Sequence, residues 1–451
     1  MNTEKKGLDL PFIISLPVGD YSKIKDKLSS KVKYSNVIAQ PEFNMGFNYY
    51  IHRTKNGMSI TNKLATKDKF YYIVNPFESD EELLELASKF LGIKDGKPDI
   101  LSRAFFKMWE MAIVFNLVDE KDLSYSALAE GPGSFLQAIL HYREKFHTIK
   151  GDKFHSITIH PEDGKNIDVS RNFLGYYNNA YPELLKPHKT YTSKKVGKYK
   201  SRDTGDLTDF KSISNFRKEI KKTKKYSHLV TADGGFAWED ENYQEQEAYP
   251  LILGEILAGV MVQSKGGNMV IKFFETFTIM SIKIVYLLST LYDEVYFYKP
   301  YFSRLSNSEK YLVCKGFKYD QKKDKGVLDV LFSDLEKILK QFDTEQYIVD
   351  IFPEIVIPKD FINKIRLFNI QIATKQIEMI NLIITYIQEN NYFGDKYHEY
   401  LDIHKKSIKF WIETFLPEKS DLKKTQEKWK GIIKDIIKNQ KEELELMNYK
   451  S

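Results

Sequence analysis

The chain has a single cysteine, Cys314, in 451 residues, so no internal disulfide can staple it and a reducing compartment suits it. No stretch approaches the ~20 consecutive apolar residues of a membrane helix. The opening MNTEKKGLDLPF has charge but only a stub of apolar sequence, and it does not read as a secretory signal. The nine histidines are scattered, with neither His-Glu-x-x-His nor Cys-x-x-Cys, so no metal site is expected. Internal repeats and low-complexity tracts are also missing. What is plentiful is core material: 42% of residues are hydrophobic and 14% aromatic, which excludes global disorder. The expectation is a soluble cytoplasmic protein without structural zinc.

Charge is nearly balanced, 68 Lys+Arg against 62 Asp+Glu, a formal +6. Its distribution carries more information than its sum. The segment Lys186–Arg202 (KPHKTYTSKKVGKYKSR) holds seven basic residues and no acid, with Tyr191 and Tyr199 interleaved. Lysines there, Lys194, Lys195 and Lys198 foremost, suit RNA phosphates while tyrosine rings suit bases. A solvated loop explains the same segment equally well. The run Arg217–Lys225 (RKEIKKTKK) reads as the exposed face of a helix.

Three regions are expected: an N-terminal extension over 1–78, a main domain over 79–325 and a helical C-terminal appendage over 326–451. Behind Ser79 and Asp80 as cap candidates, Leu83, Leu84, Ala87, Phe90 and Leu91 recur at helical spacing. Strand-like runs then alternate with helices: SYSALA, HSITI, SHLVTA, NMVIKFF, EVYFYKP and KYLVCKGFK. That alternation predicts an α/β fold with a mostly parallel sheet covered on both faces. The last two runs lack a helix between them, so the final strand should be antiparallel, at or near an edge. After about Gly326 strand signals disappear. The tail, with Trp429, Ile432, Ile433, Ile436 and Ile437 on one side, is either packed on the core or a docking face for a protein partner.

Leu128-Ala129-Glu130-Gly131-Pro132-Gly133-Ser134-Phe135 closes a strand and opens a helix. Glycines there admit close backbone approach, and a helix N-terminus offers unpaired N–H groups. A P-loop would need Gly-Lys-Ser/Thr, and a dinucleotide fingerprint a third glycine where Leu136 stands. S-adenosylmethionine remains, but a Gly-Pro-Gly turn alone does not choose it.

Four further segments accompany that turn, in order: Ser102-Arg103-Ala104-Phe105-Phe106-Lys107 before it, then Thr231-Ala232-Asp233-Gly234-Gly235-Phe236, Met269-Val270-Ile271-Lys272-Phe273-Phe274, and Ser303-Arg304 through Ser308-Glu309-Lys310 to Gly316-Phe317. Together, over roughly 80–320, they resemble the FtsJ/RrmJ-like ribose 2′-O-methyltransferases, their cap-specific branch and relatives in large DNA viruses. The resemblance implies a Rossmann-like methyltransferase sheet, S-adenosylmethionine as methyl donor and RNA as substrate. It implies a catalytic tetrad at Lys107, Asp233, Lys272 and Glu309. Cofactor contacts would fall to Glu130, Gly131, Gly133, Ser134, Asp233 and Asp206, the last toward the adenine. Glu162, after the second strand, falls where ribose hydroxyls are held. The acidic residue the family often carries five before the proline is Ala127 here.

A ribose 2′-hydroxyl must lose its proton near the moment of attack. A lysine can help if a second ammonium and partial burial lower its pKa, with two carboxylates orienting the pair. Capped mRNA is the expected substrate. Ribosomal or transfer RNA, and a catalytically idle RNA-binding scaffold, are the rival readings. The Lys-, Ile- and Tyr-rich composition would suit an AT-rich source such as a large cytoplasmic DNA virus.

Overall fold

The computed structural model describes residues 12–42, 45–63, 74–94, 96–162, 166–193, 203–235, 241–342, 345–391 and 393–449. In chain order its elements are β1 (Phe12–Leu16), β2 (Val32–Ser35), α1 (Met45–Gly57), α2 (Glu81–Leu91), α3 (Ala104–Phe115), β3 (Ser124–Leu128), α4 (Ser134–Phe146), β4 (Lys153–Ile157), α5 (Arg171–Ala180) and β5 (Leu185–Pro187). There follow α6 (Phe210–Lys222), β6 (Ser227–Ala232), α7 (Gln244–Val262), β7 (Gln263–Phe273), α8 (Ile279–Leu291), β8 (Tyr292–Lys299) and β9 (Lys310–Phe317). The chain ends with α9 (Lys325–Leu339), β10 (Tyr347–Ile351), α10 (Lys359–Gln388), α11 (Asp395–Phe415) and α12 (Leu422–Tyr449).

The main sheet runs β1-β8-β9-β7-β6-β3-β4-β5. The strands from β7 through β6, β3 and β4 to β5 pair in parallel, as right-handed crossovers through helices require. β3 is buried along its whole length, the mark of a strand covered on both faces. Alternation sends Met269 and Ile271 of β7 into one apolar cluster, with α6, α7 and α8, and Val270 into the other, with α3 and α4. Asp80 caps α2, its Oδ1 accepting from the Leu83 backbone N–H at 2.8 Å.

The last strand, β9, is antiparallel as expected and near one margin of the sheet, third in order, between β8 and β7. Two expectations need correction. The N-terminal region is not a separate extension, because β1 completes the sheet against β8 over Phe12↔Lys299 to Leu16↔Val295. The region after 326 is not purely helical either: β10 pairs with β2 in a two-stranded ribbon.

The C-terminal helices are packed on the domain. Trp429 and Ile433 of α12 are buried beside α3 residues, and Gln440 Nε2 donates to the Ile13 carbonyl of β1 at 2.5 Å. Trp411 of α11 donates from Nε1 to Glu110 of α3 at 3.0 Å. The apolar stripe of α12 is therefore spent inside the chain. No helix among the described residues is long and apolar enough to cross a membrane.

Candidate active site

In an open α/β sheet, ligands bind beyond the carboxyl ends of the strands, where the strand order reverses. Here that point is between β3 and β6, and the two segments leaving it are the Gly-Pro-Gly turn and Asp233. The turn begins at Ala129, held in the left-handed region at φ 53°, a backbone cost tolerated where surroundings over-determine it. Gly131 packs so tightly that a Cβ would fall 1.8 Å from the Ile167 carbonyl oxygen. The turn is also tied to its neighbours: Glu130 N donates to Ile157 O, and Ser170 N to Pro132 O at 2.9 Å. The loop after β4 joins the adenine-side segment through His160 N to Thr204 O at 2.8 Å. Gly205, at φ 76°, sits so close to Thr158 O that a Cβ would be 2.2 Å away.

Register builds the rest. Ala232 is aligned with Ile271, so Asp233, one residue on, meets Lys272. Lys272 pairs across with Tyr311, and Phe273 with Lys310, so Glu309 enters the same end of the sheet. Lys107 arrives from the first turn of α3, buried. All four tetrad residues therefore converge, from four elements distant in sequence. Lys107 Nζ donates to Glu309 Oε1 at 2.7 Å. Lys272 Nζ donates to the Asp233 carbonyl oxygen at 2.9 Å and stands 3.2 Å from its Oδ1.

The expected lowering of the Lys272 pKa does not occur. Burial works to lower it, but the carboxylates of Asp233, Glu309 and Glu255 outweigh burial and hold it above the ordinary lysine value. The second ammonium that was to depress it, Lys107, is neutralised by its own contact with Glu309. Glu309 is pulled well below the usual carboxylate range: burial opposes this, and Lys107 and Lys272 overcome it. At rest the site is an alternating array of two ammonium groups and two carboxylates.

Three supporting residues escaped the sequence reading. Tyr311 donates its hydroxyl to Asp233 Oδ1 at 2.9 Å, fixing that carboxylate. Lys299, at the end of β8, is buried with Nζ on Ser303 Oγ, on Asn307 O and Oδ1, and on Glu309 O at 2.7 Å. Glu255 of α7 is buried and accepts from Gly234 N at 2.9 Å. A lone acid in the apolar run ILGEIL was the available signal for Glu255, since such a residue needs a buried partner. Glu78 adds a further tie, accepting from Arg304 Nε at 2.7 Å and standing 3.3 Å from Arg103.

Burial pushes the Glu255 carboxyl up from 4.5 to about 8, with Lys272 and Gly234 N opposing. The folded state thus holds this proton more tightly than the unfolded chain does. The corresponding stability is complete below about pH 4.5 and is lost as pH rises toward 8. Glu255→Gln keeps the acceptor for Gly234 and removes the titration. Its thermal midpoint, compared with wild type, should improve progressively across that window; parallel pH curves would remove Glu255 as the cause.

The expected cofactor residues are placed as follows. Glu130 is buried and turned onto α4, where Oε1 accepts from Leu136 N at 2.9 Å, and burial raises its carboxyl to about 8. Ser134 Oγ pairs with Ser102 Oγ at 2.8 Å. Asp206 Oδ1 accepts from the N and Oγ1 of Thr208, both at 2.8 Å. Glu162 accepts from Ser193 Oγ at 2.9 Å. Lys194, Lys195 and Lys198 lie outside the described residues. No group of metal-ligating side chains occurs among the described residues. Gly131 and Gly133 flank Pro132 in a turn packed against Ile167 and Val169, and a Cβ at Gly235 would lie 3.4 Å from Lys272 Nζ.

The sheet order is that of a Rossmann-like fold. Residues 100–317 match the family model described as FtsJ-like methyltransferase. The cap-specific mRNA (nucleoside-2′-O-)-methyltransferase 1 of Mus musculus is 30% identical over 341 residues, covering 69% of this chain and 37% of the mouse protein. The Homo sapiens protein of the same name is 29% identical over 338 residues, with the same coverage. The chain thus spans little more than a third of the length of the curated relatives it matches. Among solved structures, a Plasmodium falciparum protein described as a ribosomal RNA methyltransferase has a TM-score of 0.32 at 17% identity, covering 48% of this chain and 97% of its own. Human methyltransferase-like protein 13 has a TM-score of 0.25 at 10% identity, covering 53% and 90%.

Proposed function

We propose that the chain methylates a ribose 2′-hydroxyl of RNA, and that capped mRNA is the substrate. The observation that carries this is the convergence of Lys107, Asp233, Lys272 and Glu309 beside the Gly-Pro-Gly turn. Two relatives named for cap-specific 2′-O-methylation support the choice of capped RNA. S-adenosylmethionine supplies a methyl group on a sulfonium, so transfer quenches a positive charge. As the ribose oxygen takes the methyl group and the S–CH3 bond breaks, the hydroxyl proton passes to water; Lys272 enters as an ammonium, and its part is to stabilise that oxygen while the proton leaves. Asp233, held by Tyr311, orients Lys272; Glu309, held by Lys299, orients Lys107. Remaining rate comes from in-line positioning, worth up to about 7–11 kcal/mol in the best cases.

Incubating the chain with labelled S-adenosylmethionine and capped, uncapped and ribosomal RNAs tests the reading. Label should enter capped RNA at a 2′-oxygen; equal labelling of uncapped RNA removes the cap preference, and no labelling removes the activity. The Lys-, Ile- and Tyr-rich composition supports a viral source acting in a host cytoplasm.

Asp206 is assigned to the adenine of the methyl donor, supported by its place on the loop that His160 ties to β4. Asp206→Ala should weaken S-adenosylmethionine binding by about 1–3 kcal/mol, read by calorimetry. Unchanged affinity would leave Asp206 as the acceptor of a local turn only.

A further inference from the structure

At the end of the sheet away from the tetrad is a cavity of about 250 Å³ lined by Lys224, Lys225, Tyr226, His228, Lys265 and Lys322, among others. The four lysines come from three places: the turn after α6, the start of β7 and the turn after β9. None of the four makes an ion pair with another described residue. The one acid in the lining, Asp320, already accepts from the backbone N–H groups of Lys322 and Lys323, both at 2.9 Å. His228 accepts from Ser124 N on Nδ1 at 3.1 Å, so the neutral ring carries its proton on Nε2, a further donor.

A helix C-terminus attracts cations, which accounts for lysines at the end of α6. It does not account for Lys265 and Lys322, which approach from other elements. The positive field also outruns the cavity: Lys221 and Lys222 on α6 and Lys323 and Lys325 beyond β9 are exposed. That extent exceeds a single phosphate and fits a strand of them. Tyr226 offers a ring against which a base can lie.

We propose that this cavity and its lysine surround bind backbone phosphates of RNA at a distance from the site of transfer, an inference that rests on RNA being the substrate. Five residue steps along β6, from His228 to Asp233, separate the two, about 16 Å at ~3.3 Å per step. RNA reaching both must be longer than the segment held at the tetrad.

The test is Lys224→Ala with Lys225→Ala and Lys322→Ala in the full chain, all exposed positions whose loss leaves the core intact. Binding of fluorescent uncapped RNA is measured by anisotropy against salt, without methyl donor. Each single-strand phosphate contact contributes about −0.7 to the slope of log affinity on log salt, so losing three should flatten it by about 2. The KM for long capped RNA should rise about tenfold, while KM for a short capped oligonucleotide stays at the wild-type value. An unchanged slope overturns the proposal, and so does a variant that loses affinity for polyglutamate but not for RNA. If transfer to RNA is absent while the slope flattens, the enzymatic reading fails and this surface stands. If transfer occurs and the slope is unchanged, the surface alone fails.

Discussion

Lys272→Met should lower kcat for methyl transfer by about 10³-fold while S-adenosylmethionine affinity stays near wild type. The methionine keeps the length and removes the charge that Asp233, Glu309 and Glu255 surround. Lys272→Arg separates two roles. A residue that must take up the proton fails equally as arginine, which does not deprotonate in this range. A residue that supplies positive charge keeps part of its effect, and the raised pKa of Lys272 favours that outcome. Wild-type turnover in the methionine variant would remove Lys272 from the chemistry.

Lys299→Met should cost about 10²-fold in kcat, although Lys299 belongs to no tetrad. Its ammonium gathers Ser303, Asn307 and the Glu309 carbonyl, so it closes the β8–β9 loop on itself and sets where Glu309 emerges. Without it, buried acceptors lose their donor and Glu309 drifts from Lys107. As a positioning residue it should change kcat and leave KM for S-adenosylmethionine untouched. Circular dichroism confirms that the variant is folded. A folded variant with wild-type kcat would show that the loop holds Glu309 without this lysine.

The coming together of Lys107, Asp233, Lys272 and Glu309 was legible because each stands at a helix start or strand end inside a short segment that carries the resemblance, and sheet register then does the gathering. Glu255, Tyr311 and Lys299 were not, because their roles exist only across long sequence separations. Tyr311 reads as one more apolar residue of KYLVC until Asp233 is placed opposite its hydroxyl. The same reason hid the partner of β1: FIISL is a fair strand signal, but nothing local says that β8 awaits it. β10 was missed for another reason. YIVDI is only five residues long, set among charged helical segments, and its β-branched residues were outweighed by the helices around them. The pKa of Lys272 was misjudged because the two carboxylates were given an orienting part only, whereas with Glu255 they outweigh burial.

Both ends of the described chain close over the main sheet: β1 lies along β8, β2 along β10, and α12 reaches back to Ile13. During synthesis, β1 must wait unpaired until β8, at Tyr292–Lys299, has left the ribosome. Such late, non-local closure slows folding and leaves an apolar strand edge open to other chains in the interval. It also makes the chain a poor donor of parts. Residues 100–317 cut away from their flanks would bare the edge of β8 and the outer side of α3, so the unit of inheritance for this site is larger than the unit of family likeness.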